Sequence, residues 1–206
     1  MKMDQRGLIA EYAEKIAELP YSAGPAPRII FKKDGKIYMT RKGTDFRYIS
    51  DEDICEVSGK LDQLDTVEAA ALMRLKKQKA MILARTPFVG KYIEAGKPIG
   101  ACLDDMAQII GRRVPIVHRS VREIQNGLET SSAVLLKGRY AVTCGRTLYE
   151  AYTALLVLEK SAKVNIKASV IGGARHIGKL DCRLMRNFYL YRYSKSEKEL
   201  DDDIEG

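Results

Sequence analysis

Apolar positions in the first twenty residues recur at helical spacing. Leu8, Ile9, Tyr12, Ile16 and Leu19 fall on one stripe and predict an amphipathic helix over Asp4–Leu19, stopped by Pro20. The pattern then shortens. Arg28–Lys32 and Lys36–Thr40 flank Lys33-Asp34-Gly35, a hairpin signal with Gly free to take positive φ. Ser50–Asp53 predicts a short helical start with acids at its N-terminus, and Ile54–Val57 a strand. Asp65-Thr66 opens a helix through Leu75. Ala80–Ala84 is apolar throughout and predicts a buried strand. Thr86-Pro87 supplies an N-cap and a proline at the first helical position for a short helix over Phe88–Glu94. Leu103–Ile110, ended by Gly111, predicts another helix. Val114–His118 predicts a strand that Pro115 pushes to a sheet edge, and Ser120–Leu128 a further short helix.

The clearest patterning lies between Ser132 and Gly173. Two apolar runs, Ser132–Lys137 and Tyr140–Cys144, meet at Gly138-Arg139 and predict two strands at a tight bend. Thr147-Leu-Tyr-Glu150 has the spacing of a capping box: the Thr hydroxyl accepts the Glu150 N–H, and the carboxylate reaches back to the Thr147 N–H. Leu148, Tyr152, Leu155, Leu156, Leu158, Ala162 and Ile166 follow at helical spacing until Gly172-Gly173. A helix this long, fed by a hairpin, must lie across the sheet to bury its stripe. Leu184–Tyr193 is apolar enough to be ordered without declaring its type. Strands joined by hairpins and helices predict an α/β fold, a three-layer α/β/α sandwich with a mostly antiparallel central sheet. One domain is expected over residues 1–195, with the acidic segment 196–206 disordered.

Composition narrows the picture. Of the 206 residues 46% are apolar, which suits a globular chain. No run approaches the ~20 apolar residues that span a bilayer, so no membrane partner is expected. The N-terminus lacks an apolar signal core. Cys55, Cys102, Cys144 and Cys182 are far apart and form no Cys-x-x-Cys pair; they read as reduced thiols of a cytoplasmic protein. The net charge is +8, with lysines and arginines spread along the chain. That spread reads as a solvated basic surface, and without a stacking platform no nucleic-acid partner is expected. The two histidines, His118 and His176, have no neighbouring His or Cys pair and do not make a metal site.

Leu135-Leu-Lys137, Val142, Gly145-Arg-Thr-Leu148, Glu150-Ala151, Leu158-Glu159 and Ala162-Lys163 together resemble the C-terminal core of the class II aldolase/adducin family, which includes fuculose-phosphate and ribulose-phosphate-type enzymes. Three more segments match in order: Thr40–Asp45 with Ile49–Ile54, Ala95–Ile99, and Leu103–Gly111 with Val114–Val117. The resemblance implies a ring-like homotetramer with clefts between subunits. In the family's active enzymes it also implies three histidines on zinc, a carboxylate as general acid/base and a phosphate-holding loop.

This chain departs from that pattern where the metal would sit. The positions matching the His-x-His pair are Leu83 and Arg85, and the third histidine position is Arg139. Leu has no donor atom and Arg stays protonated, so no zinc and no other cofactor is expected. The phosphate loop is altered to Gly24-Pro25-Ala26-Pro27, with Thr40 and Gly43 retained and Lys42 in place of serine. Glu68 matches the family's carboxylate only if the following loop is shortened; a solvated glutamate at a helix start is the plainer assignment. The expectation is a class II aldolase/adducin-like protein without zinc aldolase activity. It would bind a small phosphorylated or carboxylated anion through Thr40, Lys42, Gly43, Arg85 and Arg139. Two alternatives stay open: a lyase or isomerase acting on a sugar phosphate with Glu68 as base, and a non-catalytic scaffold that docks through Phe188–Tyr193.

Overall fold

The computed structural model describes residues 4–21, 24–58 and 66–205. At its centre is a seven-stranded sheet. Its strands in chain order are β1 (Arg28–Lys33), β2 (Lys36–Thr40), β3 (Ile54–Ser58), β4 (Ala80–Ala84), β7 (Ile116–Val117), β8 (Ala133–Leu136) and β9 (Ala141–Gly145). Across the sheet they lie in the order β3-β2-β1-β4-β9-β8-β7. Two short strands, β5 (Ile99–Gly100) and β6 (Arg113–Val114), pair separately. Every pairing in the large sheet is antiparallel except β7 with β8. The β1–β2 hairpin turns where the sequence placed it, with Asp34 at φ 50° and Gly35 at φ 75°.

Helices cover both faces. These are α1 (Gln5–Ala17), α2 (Val67–Arg74), α3 (Pro87–Ala95), α4 (Val121–Thr130), α5 (Leu148–Ser169) and α6 (Lys179–Glu205). Strand alternation sorts the core into layers. Ile30, Met81, Leu83, Val134, Leu136 and Val142 pack with α2 and α4. Ile29, Phe31, Ala80, Ile82 and Ala84 turn to the other face, against α1 and α5. A third cluster joins Ala133, Leu135 and Ala141 to α3, α5 and Met106–Ile110. This is the expected three-layer sandwich.

Four local expectations are corrected. Leu103–Ile110 is not a regular α-helix: Met106–Ile110 is a π-helical turn closed by the Gly111 N–H on the Met106 carbonyl, 2.8 Å. Val114–His118 is not one strand, because Pro115 parts β6 from β7. In the Thr147–Glu150 box the hydroxyl accepts the Glu150 N–H at 3.1 Å, but the carboxylate reaches the Arg146 N–H at 2.8 Å instead of that of Thr147. The Arg146 guanidinium grips the same carboxylate and draws it back. On α5, Leu156 is exposed, and Tyr152 and Ile166 are only half-buried. The buried set also takes in Ala151, Ala154, Val157, Ser161 and Asn165. Contacts with the sheet, α1, α3 and the π-turn bury more than one stripe. The Leu184–Tyr193 run lies in α6, which continues through the acidic segment to Glu205.

Candidate functional site

The strand register builds a cleft at one end of the sheet. Arg28 opens β1 directly across from Leu83 of β4, and Leu83 is across from Val142 of β9. The β8–β9 turn at Gly138, φ 69°, then brings Arg139 and Tyr140 beside them. The Pro25-Ala26 loop and the turn after β2, with Gly43 at φ 85°, close the other wall. The resulting cavity holds about 420 Å³ and is lined by Pro25, Ala26, Arg28, Lys42, Gly43, Thr66, Leu83, Arg119, Arg139 and Tyr140. Four of these side chains are cationic, and among the described residues none is a carboxylate.

Glu68 is not the solvated residue that its place at a helix start suggested. It is 0% exposed behind the cavity wall. Arg119 holds it with two bonds, Nε to Oε1 at 2.7 Å and one terminal nitrogen to Oε2 at 3.0 Å. The Tyr140 hydroxyl donates to Oε1 at 2.9 Å. A fork on both carboxylate oxygens plus a phenol offsets the cost of burying the charge. The Glu68 hydrogen bond and charge push the Arg119 pKa up. Burial first, and then the Glu68 charge, push that of Tyr140 up. Tyr140 is therefore a neutral donor at ordinary pH.

The structure gathers Lys42, Gly43, Leu83 and Arg139 at one cavity and sets Thr40 and Arg85 aside from it. Thr40 is fully buried: its hydroxyl accepts the Ile29 N–H at 3.1 Å, and its carbonyl accepts the Arg28 guanidinium at 3.0 and 3.1 Å. Thr40 thereby fixes the cation at the cavity mouth. Arg85 is folded beneath the Gly24 loop, where a Cβ on Gly24 would lie 2.6 Å from Arg85 Cδ. Its guanidinium reaches the Arg139 carbonyl at 2.9 Å and the Glu94 carboxylate at 2.5 Å. It ties β4, α3 and the β8–β9 turn together. Sequence reasoning missed Arg28, Arg119 and Tyr140. Pairing β1 with β4 would have exposed Arg28; nothing in the His118-Arg119-Ser120 loop marks Arg119.

Residues 8–166, well over half the chain, match the family described as Class II Aldolase and Adducin N-terminal domain. The chain belongs to that family. No curated protein matches it. Among solved structures it is similar to an L-fuculose 1-phosphate aldolase with a TM-score of 0.80 at 18% identity, over 92% of this chain and 97% of the other. YgbL from Escherichia coli, a putative aldolase/epimerase/decarboxylase, superposes with a TM-score of 0.73 at 18% identity, over 88% and 97% of the two chains. An L-fuculose-1-phosphate aldolase from Thermus thermophilus gives 0.68 at 19%, over 82% and 96%. At these identities the likeness is one of fold.

The zinc that class II aldolase resemblance implies does not suit the residues present. Leu83 offers no donor, Arg139 brings a cation, and Arg85 is turned away. Among the described residues, the carboxylate behind the wall is that of Glu68, and it is taken up by Arg119 and Tyr140. No group of three His, Cys, Asp or Glu gathers among the described residues. The donor set suits an anion.

Proposed function

We propose that this class II aldolase/adducin-family protein binds a small phosphorylated or carboxylated anion in the cleft, without zinc-dependent aldolase chemistry. One observation carries it: Arg28, Lys42, Arg119 and Arg139 converge on a cavity whose lining, among the described residues, has no carboxylate. Among the described residues, Arg119 is the one of these four with a salt bridge, to Glu68. Arginine forks and a lysine match the oxygens of phosphate or carboxylate. Titration calorimetry with inorganic phosphate checks the reading. Binding weakened at least about tenfold by Arg139→Ala supports it, since a charged hydrogen bond contributes about 1.5–3 kcal/mol. Metal analysis is the second check: one zinc per chain surviving dialysis overturns it.

A second reading, a carbon–carbon lyase or isomerase acting on a sugar phosphate, rests on the buried Glu68–Tyr140–Arg119 group beside the cavity. Turnover of a ketose-phosphate panel that Glu68→Gln abolishes favours it. Silence across the panel, with phosphate still bound, favours the binding role.

The protein also self-associates on this proposal, as a homotetramer. Leu180, Leu184, Phe188 and Tyr191 are 74%, 68%, 63% and 69% exposed. Their spacing sets them on one stripe of α6. Two such stripes face to face would remove apolar side chains of both copies from water. A second copy is the occupant that this self-matching stripe favours. Light scattering of Leu184→Glu/Phe188→Glu is expected to report a smaller species than the wild type. We place the protein in the cytoplasm because its four thiols are free. None of the described helices is long and apolar enough to cross a membrane.

A further inference from the structure

A second cationic cavity, of about 460 Å³, lies between the first turns of α6 and the Gly111 and Thr130 segments. Arg112, Lys179, Arg183 and Arg186 line it, and among the described residues no Asp or Glu does. It shares no lining residue with the cleft. The two lie at opposite ends of β8: Thr130 comes just before that strand and Arg139 just after it. Arg186 reaches inward from α6. It donates to the Gln108 carbonyl at 2.8 Å, to the Ile109 carbonyl and to the Ser132 hydroxyl at 2.6 Å. These acceptors carry no formal charge, and burial pushes its pKa down from the usual arginine value. Arg112, Lys179 and Arg183 form no ion pair among the described residues. Asp181, the acid on the same turn, sits against Gly178.

The two cavities together gather eight of the chain's 35 Lys and Arg, and among the described residues the lining of neither holds an acid.

We propose that the cavity beneath α6 is a second anion site, taking a phosphate-bearing small molecule. Four cations with no carboxylate call for a ligand with at least two negative charges, and guanidinium forks fit phosphate oxygens. A cavity of this size is within the range of small-molecule sites, about 300–1,000 Å³. The site stands independently of the proposed cleft function.

Calorimetry of the full chain with inorganic pyrophosphate at fixed ionic strength tests it. The comparison is between wild type, Lys179→Glu/Arg183→Glu and the cleft variant Arg139→Glu, with circular dichroism melts to confirm folding. Two sites are expected in the wild type. The double variant is expected to lose one by at least about tenfold, at ~1.4 kcal/mol per decade, and Arg139→Glu to retain that same one. Should the double variant be unfolded, Arg183→Gln is expected to weaken the same site. A single site lost only in Arg139→Glu overturns this proposal and leaves the cleft standing. A single site lost only in the double variant supports it and overturns the cleft. No pyrophosphate binding at all overturns both. Duplex DNA bound more tightly than pyrophosphate, and released by the double substitution, overturns the assignment to a small molecule.

Discussion

Glu68 shows how far a single residue's surroundings can override its local preference. An acid in the first turn of a helix satisfies the helix dipole while staying in water. Here the same residue lies under the cleft wall, with both oxygens and a phenol accounted for. Removing it leaves Arg119 without its counter-charge and the Tyr140 hydroxyl without its acceptor. Glu68→Ala is expected to destabilise the fold by about 2–4 kcal/mol, and Glu68→Gln by less, in urea denaturation. Tyr140 gives a pH prediction. Its folded pKa is raised above the ordinary value of 10.0, so the fold favours the neutral phenol. Below pH 10 the phenol is neutral in both states and its contribution is complete. Above pH 10 the unfolded chain ionises first, and stability falls as pH climbs towards the folded pKa. Urea midpoints between pH 8 and 11 are expected to fall less steeply for Tyr140→Phe than for the wild type.

Helix ends show the same dependence on distant partners. Thr86 and Pro87 correctly announced the start of α3, yet the Thr86 side chain does not cap it. Instead Thr86 donates its hydroxyl to Glu159 of α5 at 2.6 Å. The Glu159 carboxylate accepts the Phe88 and Val89 N–H groups at 3.0 Å each. A cap borrowed from 70 residues away, as Val89 and Glu159 are, couples α3 to α5. Glu159→Ala is expected to cost about 1–2 kcal/mol, read as a lower urea midpoint with an unchanged slope. At the π-turn the donor is again remote: the Arg186 guanidinium takes up carbonyls at its C-terminal end. These partners were invisible in the sequence because their spacing follows no helical or strand period.

At the scale of the whole molecule, the placing of charge matters more than its amount. With four Lys or Arg lining each cavity, anion binding is expected to weaken as ionic strength rises, because the Debye length falls from about 10 Å at 0.1 M to about 3 Å at 1 M. Calorimetry with phosphate across that range measures the slope. Binding that does not depend on salt would contradict an electrostatic cleft. The α6 stripe is the other whole-molecule feature: Leu180, Leu184, Phe188 and Tyr191 are exposed on it, and the proposed self-association would cover them.

Local periodicity determined the elements. The alternation of Ile29, Ile30 and Phe31, the turn at Asp34-Gly35, the caps at Ser120 and Thr147, and the stop at Gly172-Gly173 each act within a few residues. The sequence alone was therefore enough for the sandwich. Which side chains face the cleft was decided only by tertiary packing. Arg28 comes to Leu83 through strand register, Arg119 comes to Glu68 through the packing of α4 on α2, and Arg85 is drawn off by Glu94 and the Arg139 carbonyl. Hydrogen bonds and charges act through space, and the partners of Arg85 and Arg119 lie 9, 51 and 54 positions away along the chain.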